Sequence, residues 1–260
     1  GFYKPRVSCY FSCMRAIITR HYKTLINASE QILGWGDAPR DHSWRSDVDF
    51  VDSRLQEHGI RFNAVFSSGL ERARQTAMFH ARRCGIHIIN DNTALNEVNY
   101  GSLYRKKKKW VAKHYPQHKK DPGFVYPEGE SFLQMQQRSV NFLTSLAETH
   151  PGKTLLIVVH AGVIRGFVSH FLNLKYADNL QHKVSHRYMG DFQFDGPLCV
   201  RYDELGEPSG FIKSGVVSTP CHPRFHNIPL VTRKYVPHKV TPAVIPSGLI
   251  PRTRYKPEQQ

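Results

Sequence analysis

The sequence predicts an α/β fold, a three-layer α/β/α sandwich in which helices cover both faces of a mostly parallel, doubly wound sheet. From about residue 15 to residue 202, strand-like and helix-like stretches alternate along the chain, which is the pattern of such a sheet. The stretch TLLIVV at 154–159 is apolar without alternation, as expected of a central parallel strand covered on both faces. With 260 residues, 40% of them hydrophobic, the chain can bury a sizeable core.

Each element is predicted from its own local pattern. Val48, Val51 and Leu55 fall at helical spacing, and Gly59 follows at the C-cap position. A turn over residues 67–69 opens the next helix. The predicted strands are 15–19, 62–66, 87–89 and 154–159, and the predicted helices are 46–58, 71–83, 131–150 and about 163–172.

Composition divides the chain into three regions. Residues 1–14 form an N-terminal extension, residues 15–210 the α/β domain, and residues 211–260 a basic, proline-rich tail. The tail holds eight prolines, eight Lys or Arg and one acidic residue, and such a density of proline favours extended chain. Short apolar groups such as PAVIP interrupt it. They predict a tail that becomes ordered on a partner in a large assembly, or one that wraps its own domain.

The charge balance favours anionic partners. The chain carries 36 Lys and Arg against 21 Asp and Glu, a formal net charge of +15, which suits nucleic acid, phosphorylated substrates or acidic surfaces. The five cysteines are few and scattered, so we expect a reducing compartment rather than a disulfide framework. No apolar run approaches ~18 residues, so we expect no membrane span.

A basic run at 104–120, YRKKKKWVAKHYPQHKK, holds eight Lys or Arg, no acid and interleaved aromatic residues. It predicts either a solvated loop or helix face, or a patch that binds a polyanion and stacks aromatic rings on bases. In the second alternative the nucleic-acid-binding residues are Arg105, Lys106, Lys107, Lys108, Lys109 and Trp110.

Five charged or ionisable residues each follow a predicted strand. Arg20 and His21 follow the first strand, and His160 follows the central one. Arg72 lies after the second strand near a helix N-terminus, where an anion is favoured, and Glu97 lies in the loop after the short third strand. Because the carboxyl ends of parallel strands meet at one rim of the sheet, we expect these side chains to converge there as a phosphate site.

Six ordered motifs resemble those of the histidine phosphatase superfamily, also called phosphoglycerate mutase-like. TRHYKTLIN is similar to the family's strand followed by R-H-G-E-T-x-x-N, matching at Arg20, His21, Thr24 and Asn27. The other five motifs are GWGDAP, SSGLERARQTA, LNEVNYGSL, PEGES and VVHAGVIR. Together they span roughly residues 15–202, so the N-terminal extension and the tail lie outside the resemblance.

The resemblance implies a mechanism in which His21, Glu97 and His160 are the catalytic residues. His21 would attack the phosphorus of a monoester to form a phosphohistidine, and Glu97 would protonate the leaving oxygen and then activate water. Donors around the phosphoryl oxygens would be Arg20, Arg72, His160 and Asn27. No metal and no cofactor is expected, because the arginines supply the positive charge.

One departure from the family pattern bears on activity. The glycine that follows the first histidine in the family is Tyr22 here, and the usual glutamate is Lys23. Glycine at such a position allows close approach of a ligand, so the Tyr22 ring must either point away or block the phosphate pocket.

Two functions of different class are therefore predicted. The first is a phosphomonoester hydrolase acting on a small metabolite or a phosphoprotein; a phosphatase is favoured over a mutase because the segment 104–126 is short. The second is a non-catalytic or moonlighting subunit of an RNA-rich assembly such as a mitochondrial ribosome, suggested by the net charge, the basic run and the tail. The corresponding localisation is mitochondrial, or otherwise cytoplasmic.

Overall fold

The computed structural model describes residues 13–211. Its strands are β1 (Met14–Arg20), β2 (Ala64–Ser68), β3 (Ile89–Asn92), β4 (Thr154–Val159), β5 (Met189–Asp195) and β6 (Leu198–Glu204). Its α-helices are α1 (Leu25–Ala28), α2 (Trp44–Glu57), α3 (Glu71–Arg83), α4 (Lys108–His114), α5 (Phe132–Thr149), α6 (Ala161–Phe171) and α7 (Tyr176–Asn179). Short 3₁₀ turns cover Thr93–Leu95, Gly101–Leu103 and Pro116–Lys119.

The strands form one sheet in the order β3-β2-β4-β1-β5-β6. The first four strands of that order are parallel, whereas β5 runs antiparallel to β1 and β6 antiparallel to β5. In the register, Arg20 pairs with Val159 and Ser67 pairs with Val158. The carboxyl ends of β1, β4 and β2 therefore lie side by side at one rim.

Helices cover both faces of this sheet, which confirms the predicted α/β class. On one face Ile17 and Leu156 pack with Val51 of α2 and Ala77 of α3. On the other face Ile18 of β1 and Ile157 of β4 pack with Leu143 of α5 and Phe167 of α6. All residues of β4 from Leu155 to Val159 are fully buried, as its unbroken apolar sequence predicted.

Several element boundaries differ from the predictions. Ser67 and Ser68, interpreted as a turn, are the last residues of β2, because they continue the ladders with β3 and β4. The strand placed at 87–89 lies at Ile89–Asn92, where polar residues occupy an edge of the sheet. Helix α6 begins at Ala161, two residues earlier than expected. The hairpin β5–β6 was not assigned from the sequence.

Two further predictions concern residues outside the described range. Most of the extension at 1–14 and nearly all of the tail at 211–260 lie outside the described residues, so the domain boundaries and the partner of the tail stay predictions. Between residues 13 and 211, no helix combines the length and the hydropathy needed to cross a bilayer.

Candidate active site

The two predicted histidines meet at the rim of the sheet. His21 follows β1 and His160 follows β4, and the backbone N–H of His21 donates to Val159 O at 3.0 Å. The neighbouring parallel strands thus place the two imidazole rings together, with centroids 5.0 Å apart. Both side chains are almost completely buried. The sequence prediction that the rings share one site is in agreement with this geometry.

The hydrogen bonds of His21 fix which ring nitrogen carries the proton. Nδ1 lies 2.6 Å from the carbonyl oxygen of Tyr22. A carbonyl only accepts hydrogen bonds, so Nδ1 carries the proton and Nε2 holds a lone pair. Arg72 Nε donates to Nε2 at 3.3 Å. The unprotonated nitrogen of a neutral imidazole is therefore the atom that faces the guanidinium group.

The His160 ring is hydrogen-bonded to Ser68, the last residue of β2. Ser68 Oγ lies 2.7 Å from His160 Nε2 and also accepts from the backbone N–H of Leu70 at 3.3 Å. We assign the serine hydroxyl as donor to Nε2, which places the ring proton on Nδ1. That Nδ1 atom is buried and has no hydrogen-bond partner among the described residues. Buried polar atoms are rarely left this way.

The two predicted arginines lie beside these rings, Arg72 buried and Arg20 half-buried. Arg20 Nη1 donates to Val184 O at 2.5 Å, whereas its buried Nε has no partner in the described part of the chain. Arg72 is 2% exposed, and its Nη1 and Nη2 donate to the carbonyls of Gly36 and Gly34, each at 2.7 Å. The loop of the GWGDAP motif therefore fixes the direction in which Arg72 presents its Nε to His21.

Glu97 reaches the same site from the loop after β3. Its Oε1 accepts from the backbone N–H of Val98 at 2.9 Å, and its Oε2 accepts from the backbone N–H of Gly162 at 3.2 Å. Gly162 is in the first turn of α6. A Cβ added to Gly162 would overlap Oε1 and would lie 3.1 Å from Cδ of Glu97. The carboxylate can occupy this position only because residue 162 has no side chain.

Arg138 of α5 holds the loop that carries Glu97. Its Nη1 donates to the carbonyls of Ala94 and Asn96, both at 2.8 Å, and its Nη2 donates to Glu97 O at 2.9 Å. Its Nη2 also forms an ion pair with Glu130 at 2.6 Å. Arg138 touches no side chain that would meet a phosphate, so it is a positioning residue for Glu97.

Asn27 lines the cavity at the start of α1. Its Oδ1 accepts from the backbone N–H of Thr24 at 3.3 Å and from Thr24 Oγ1 at 2.9 Å. The backbone N–H of Asn27 donates to Thr24 Oγ1 at 3.3 Å, which completes a capping box. With the oxygen fixed in this way, the amide Nδ2 is the group that remains available as a donor.

Tyr22 points away from the cavity. Its ring packs edge-on against Trp44, with centroids 6.1 Å apart, and lies beneath the guanidinium of Arg40. Its hydroxyl donates to Gln75 Oε1 at 2.7 Å, and it is absent from the cavity lining. Of the two orientations considered from the sequence, the structure shows the one that leaves the pocket open.

A third histidine that the sequence reasoning missed completes the cluster. The His186 ring lies 5.3 Å from the ring of His21, and its Nδ1 donates to His21 O at 2.7 Å. His186 precedes β5, an unassigned strand, so no pattern in the sequence indicated that it reaches this rim. It lines a cavity of about 700 Å³ together with Arg20, His21, Asn27, Arg72 and Glu97.

Burial and positive charge keep the three imidazoles neutral. Burial lowers the pKa of His21 well below 6.5, and the positive charge of Arg72 lowers it further. Burial and the same arginine also lower the pKa of His160 well below 6.5. Burial, followed by the charge of Arg20, lowers the pKa of His186 to about 2. A neutral His21 is the form with a nucleophilic lone pair.

Stability is expected to fall as the pH drops below about 6.5. The unfolded chain binds protons on these three histidines below their ordinary pKa of about 6.5, whereas the folded chain does not. Their contribution to the free energy of unfolding is therefore complete above about pH 6.5. Below that pH, each of these histidines lowers the free energy of unfolding by up to about 1.4 kcal/mol per pH unit. Thermal denaturation between about pH 8 and about pH 5 measures this effect. His186→Asn should make the melting temperature depend less steeply on pH. An equally steep dependence in that variant would contradict the role of His186.

The basic run at 104–120 forms α4 and a 3₁₀ turn, and part of it is used within the domain. Lys107 Nζ donates to Ser29 O at 2.8 Å, and Lys108 pairs with Glu30 at 3.1 Å. The Trp110 ring stacks on His114, with centroids 3.9 Å apart, and Lys106 lies 5.2 Å from its centre. Nucleic-acid binding by this run stays a prediction.

Metal ligands do not cluster in the described part of the chain. Between residues 13 and 211, no three His, Cys, Asp or Glu side chains are arranged so that they could hold a metal ion. The imidazoles near the rim instead have arginine, serine and backbone partners.

A sequence model described as the histidine phosphatase superfamily, branch 1, matches residues 16–202. The chain belongs to this superfamily. Among curated relatives it is 30% identical to a probable phosphoglycerate mutase of Yersinia enterocolitica over 166 residues, which cover 62% of this chain and 76% of the relative. A probable phosphoglycerate mutase of Yersinia pestis matches to the same extent.

Solved structures of the superfamily share the fold. YhfR of Bacillus stearothermophilus superposes with a TM-score of 0.64 at 24% identity, covering 72% of this chain and 94% of that one. A mycobacterial glucosyl-3-phosphoglycerate phosphatase, solved with VO3, gives a TM-score of 0.59 at 21% identity, covering 68% and 92%. An alpha-ribazole-5'-P phosphatase of Escherichia coli gives 0.63 at 20% identity, covering 75% and 96%.

Proposed function

We propose that this chain is a phosphomonoester hydrolase that works through a phosphohistidine on His21. The observation that carries the proposal is the unprotonated Nε2 of a neutral, buried His21 beside two buried donors without partners in the described chain, Arg20 Nε and His160 Nδ1. A buried donor without a partner costs on the order of 1–3 kcal/mol. Phosphoryl oxygens bound at the rim would remove that cost.

The first chemical step breaks the ester bond. The Nε2 lone pair of His21 attacks phosphorus, a P–N bond forms, and the bond from phosphorus to the ester oxygen breaks. That oxygen takes a proton from the Glu97 carboxyl group, so the leaving group departs as a neutral alcohol or phenol. Glu97 is left as a carboxylate, with Gly162 N–H donating to it.

The second step regenerates the histidine. The Glu97 carboxylate accepts a proton from a water molecule whose oxygen attacks phosphorus. The P–N bond breaks, its electron pair returns to Nε2, and inorganic phosphate leaves. Throughout both steps Arg20, Arg72 and His160, with Asn27, stabilise the charge on the phosphoryl oxygens. Burial lowers the pKa of both arginines to about 10, so they remain charged at neutral pH.

The phosphatase reaction is favoured over a mutase reaction by the chain between Glu97 and α5. Residues 104–126 form only the short helix α4 and a 3₁₀ turn. The named relatives include mutases and the named structural neighbours include phosphatases, and both activities use a phosphorylated substrate. Whether the natural substrate is a small metabolite or a phosphoprotein stays a prediction.

A change of leaving group tests the role of Glu97. With Glu97→Gln, kcat/KM for β-glycerophosphate, whose alkoxide leaves poorly, should fall on the order of 100-fold or more. For para-nitrophenyl phosphate, whose leaving oxygen needs no proton, kcat/KM should fall less than about ten-fold. Both rates are followed as phosphate release by the purified chain. Equal losses on the two esters, or no hydrolysis by the unaltered chain, would refute the proposal.

The second predicted function, a subunit of an RNA-rich assembly, stays a prediction. It depends on the tail, which lies outside the described residues, and on the basic run. Mitochondrial localisation depends on the same features. Sedimentation of the native protein with and without ribonuclease, at low and at high salt, tests it, since phosphate contacts to RNA weaken steeply with salt.

A further inference from the structure

The cavity that holds the phosphate site continues into an aromatic chamber, defined by Tyr100, Tyr126, Phe132 and Tyr176. Tyr100 and Tyr126 pack with ring centroids 4.6 Å apart, and Phe132 and Tyr176 with centroids 4.7 Å apart. Two of the hydroxyls are engaged elsewhere: Tyr126 Oη contacts His118 Nδ1 at 3.0 Å, and Tyr176 Oη donates to His118 O at 2.8 Å. The chamber therefore offers mainly ring surface to a ligand.

Glu97 lines the cavity that the phosphate site and the aromatic chamber share. Its negative charge counteracts the lowering of the pKa of Arg20, Arg72 and Arg165 by burial, and it adds to the raised pKa of Tyr100 in the chamber, so Glu97 is near both parts. The leaving oxygen of a monoester must meet Glu97 to receive its proton. The rest of the leaving group would then extend into the chamber.

Arg165, which also lines the chamber side of the cavity, is a cation without an acidic partner. Its Nη1 and Nη2 donate to the carbonyls of Asn179 and His182. Its Nε makes no hydrogen bond with a residue of the described range. In residues 13–211 no carboxylate lies within ion-pair distance of Arg165.

The other lining cations outside the phosphate site differ from Arg165. Lys108 pairs with Glu30 at 3.1 Å, Lys23 approaches Asp41 at 3.8 Å, and Arg187 pairs with Asp47 at 3.1 Å; exposed Lys183 has no such pair in the described chain. Burial lowers the pKa of Arg165, which reflects the cost of holding its charge away from water. A partly buried charge without an ion-pair partner is costly. Glu97 acts on Arg165 only from beyond ion-pair distance, so a ligand anion at the cavity would be the first to pair with it directly.

We propose that the substrate is a phosphomonoester whose leaving group combines a flat, apolar body with a carboxylate. The flat body packs against the rings of the chamber, where aromatic contacts add to the burial of apolar surface. The carboxylate accepts a charge-assisted hydrogen bond from Arg165. This assignment rests on the proposed function, since it concerns the leaving group of that reaction.

A carboxylate fits this position better than a second phosphate. The phosphate site provides two arginines and an imidazole N–H for a dianion, whereas the chamber provides one arginine. A single guanidinium group with two N–H groups already committed to carbonyls balances one negative charge, which a carboxylate supplies.

Two pairs of esters test the assignment in the unaltered chain. The aromatic pair is para-cresyl phosphate and the phosphate ester of para-hydroxyphenylpropionate, which differ by the carboxylate and leave with similar ease. The aliphatic pair is butyl phosphate and the phosphate ester of gamma-hydroxybutyrate. We expect the carboxylate to raise kcat/KM on the order of 10- to 100-fold in the aromatic pair, and the aromatic acid to have the lowest KM of the four.

Arg165→Met should abolish the carboxylate preference while para-cresyl phosphate is still hydrolysed. Lys183→Met removes an exposed lining charge from the cavity mouth and should keep the preference. If Arg165→Met destabilises the chain, the comparison of the two aromatic esters in the unaltered protein decides alone. Equal kcat/KM within that pair, or a preference that survives Arg165→Met, would overturn the assignment. Failure to hydrolyse all four esters would instead refute the proposed function.

Discussion

Replacing His21 with alanine is expected to lower kcat for phosphomonoester hydrolysis on the order of 10³-fold or more. The substitution removes the Nε2 lone pair, and no other imidazole can replace it. His160 is engaged through Nε2 by Ser68, and His186 is held by its Nδ1 contact with the His21 carbonyl. Without the nucleophile the remaining donors can still bind a phosphate. Release of para-nitrophenolate by the two purified proteins measures the loss.

Tyr22→Phe is the matched control for His21→Ala. It alters the neighbouring residue and removes the hydrogen bond from the Tyr22 hydroxyl to Gln75, yet the ring lies outside the cavity. We expect kcat within about three-fold of the unaltered value. A His21→Ala protein that turns over as fast as Tyr22→Phe would remove His21 from the mechanism.

Gly162→Ala should cause a loss comparable to that of Glu97→Gln. The added Cβ would overlap Glu97 Oε1, so the carboxylate must move away from the leaving oxygen. Displacing a proton donor by about 1 Å can cost on the order of 100-fold. We therefore expect kcat/KM for β-glycerophosphate to fall about 100-fold and that for para-nitrophenyl phosphate to fall much less. The profile of losses should match that of Glu97→Gln.

Gly166→Ala, one turn further along α6, separates this effect from a general effect on the helix. A Cβ at residue 166 would meet Met135 Cε at 3.5 Å and Gln136 Cα at 3.6 Å, which are ordinary contacts. Alanine is a better helix former than glycine by about 1 kcal/mol, so we expect unchanged activity and an equal or higher melting temperature. If both alanine variants behave alike, the overlap with Glu97 is not the cause.

The sequence was most informative where a feature depends on neighbouring strand ends. The unbroken apolar stretch of β4 indicated a central strand, and the residues after β1 and β4 could then be placed at one rim without knowing the register. Arg20, His21 and His160 were located in this way. Helix α3 and β4 were also predicted with their observed bounds.

Features that depend on contacts between distant segments could not be predicted. His186 precedes β5, which pairs with β1 and so brings His186 close to His21. No local sequence pattern indicates that pairing. Arg138 lies 41 residues after Glu97 in the sequence, and nothing in its helix indicates that it binds the carbonyls around Glu97. The orientation of Tyr22 is set by Trp44, Arg40 and Gln75, which come from other elements.

The most direct test of the account is to identify the phosphorylated residue. Glu97→Gln is mixed rapidly with para-nitrophenyl phosphate, because this variant should form the intermediate and then lack the base that activates water. Peptide mass spectrometry after the quench should find one phosphoryl group on His21, labile in acid and stable in alkali. A phosphoryl group on another residue, or turnover without any modification of His21, would contradict the proposed mechanism.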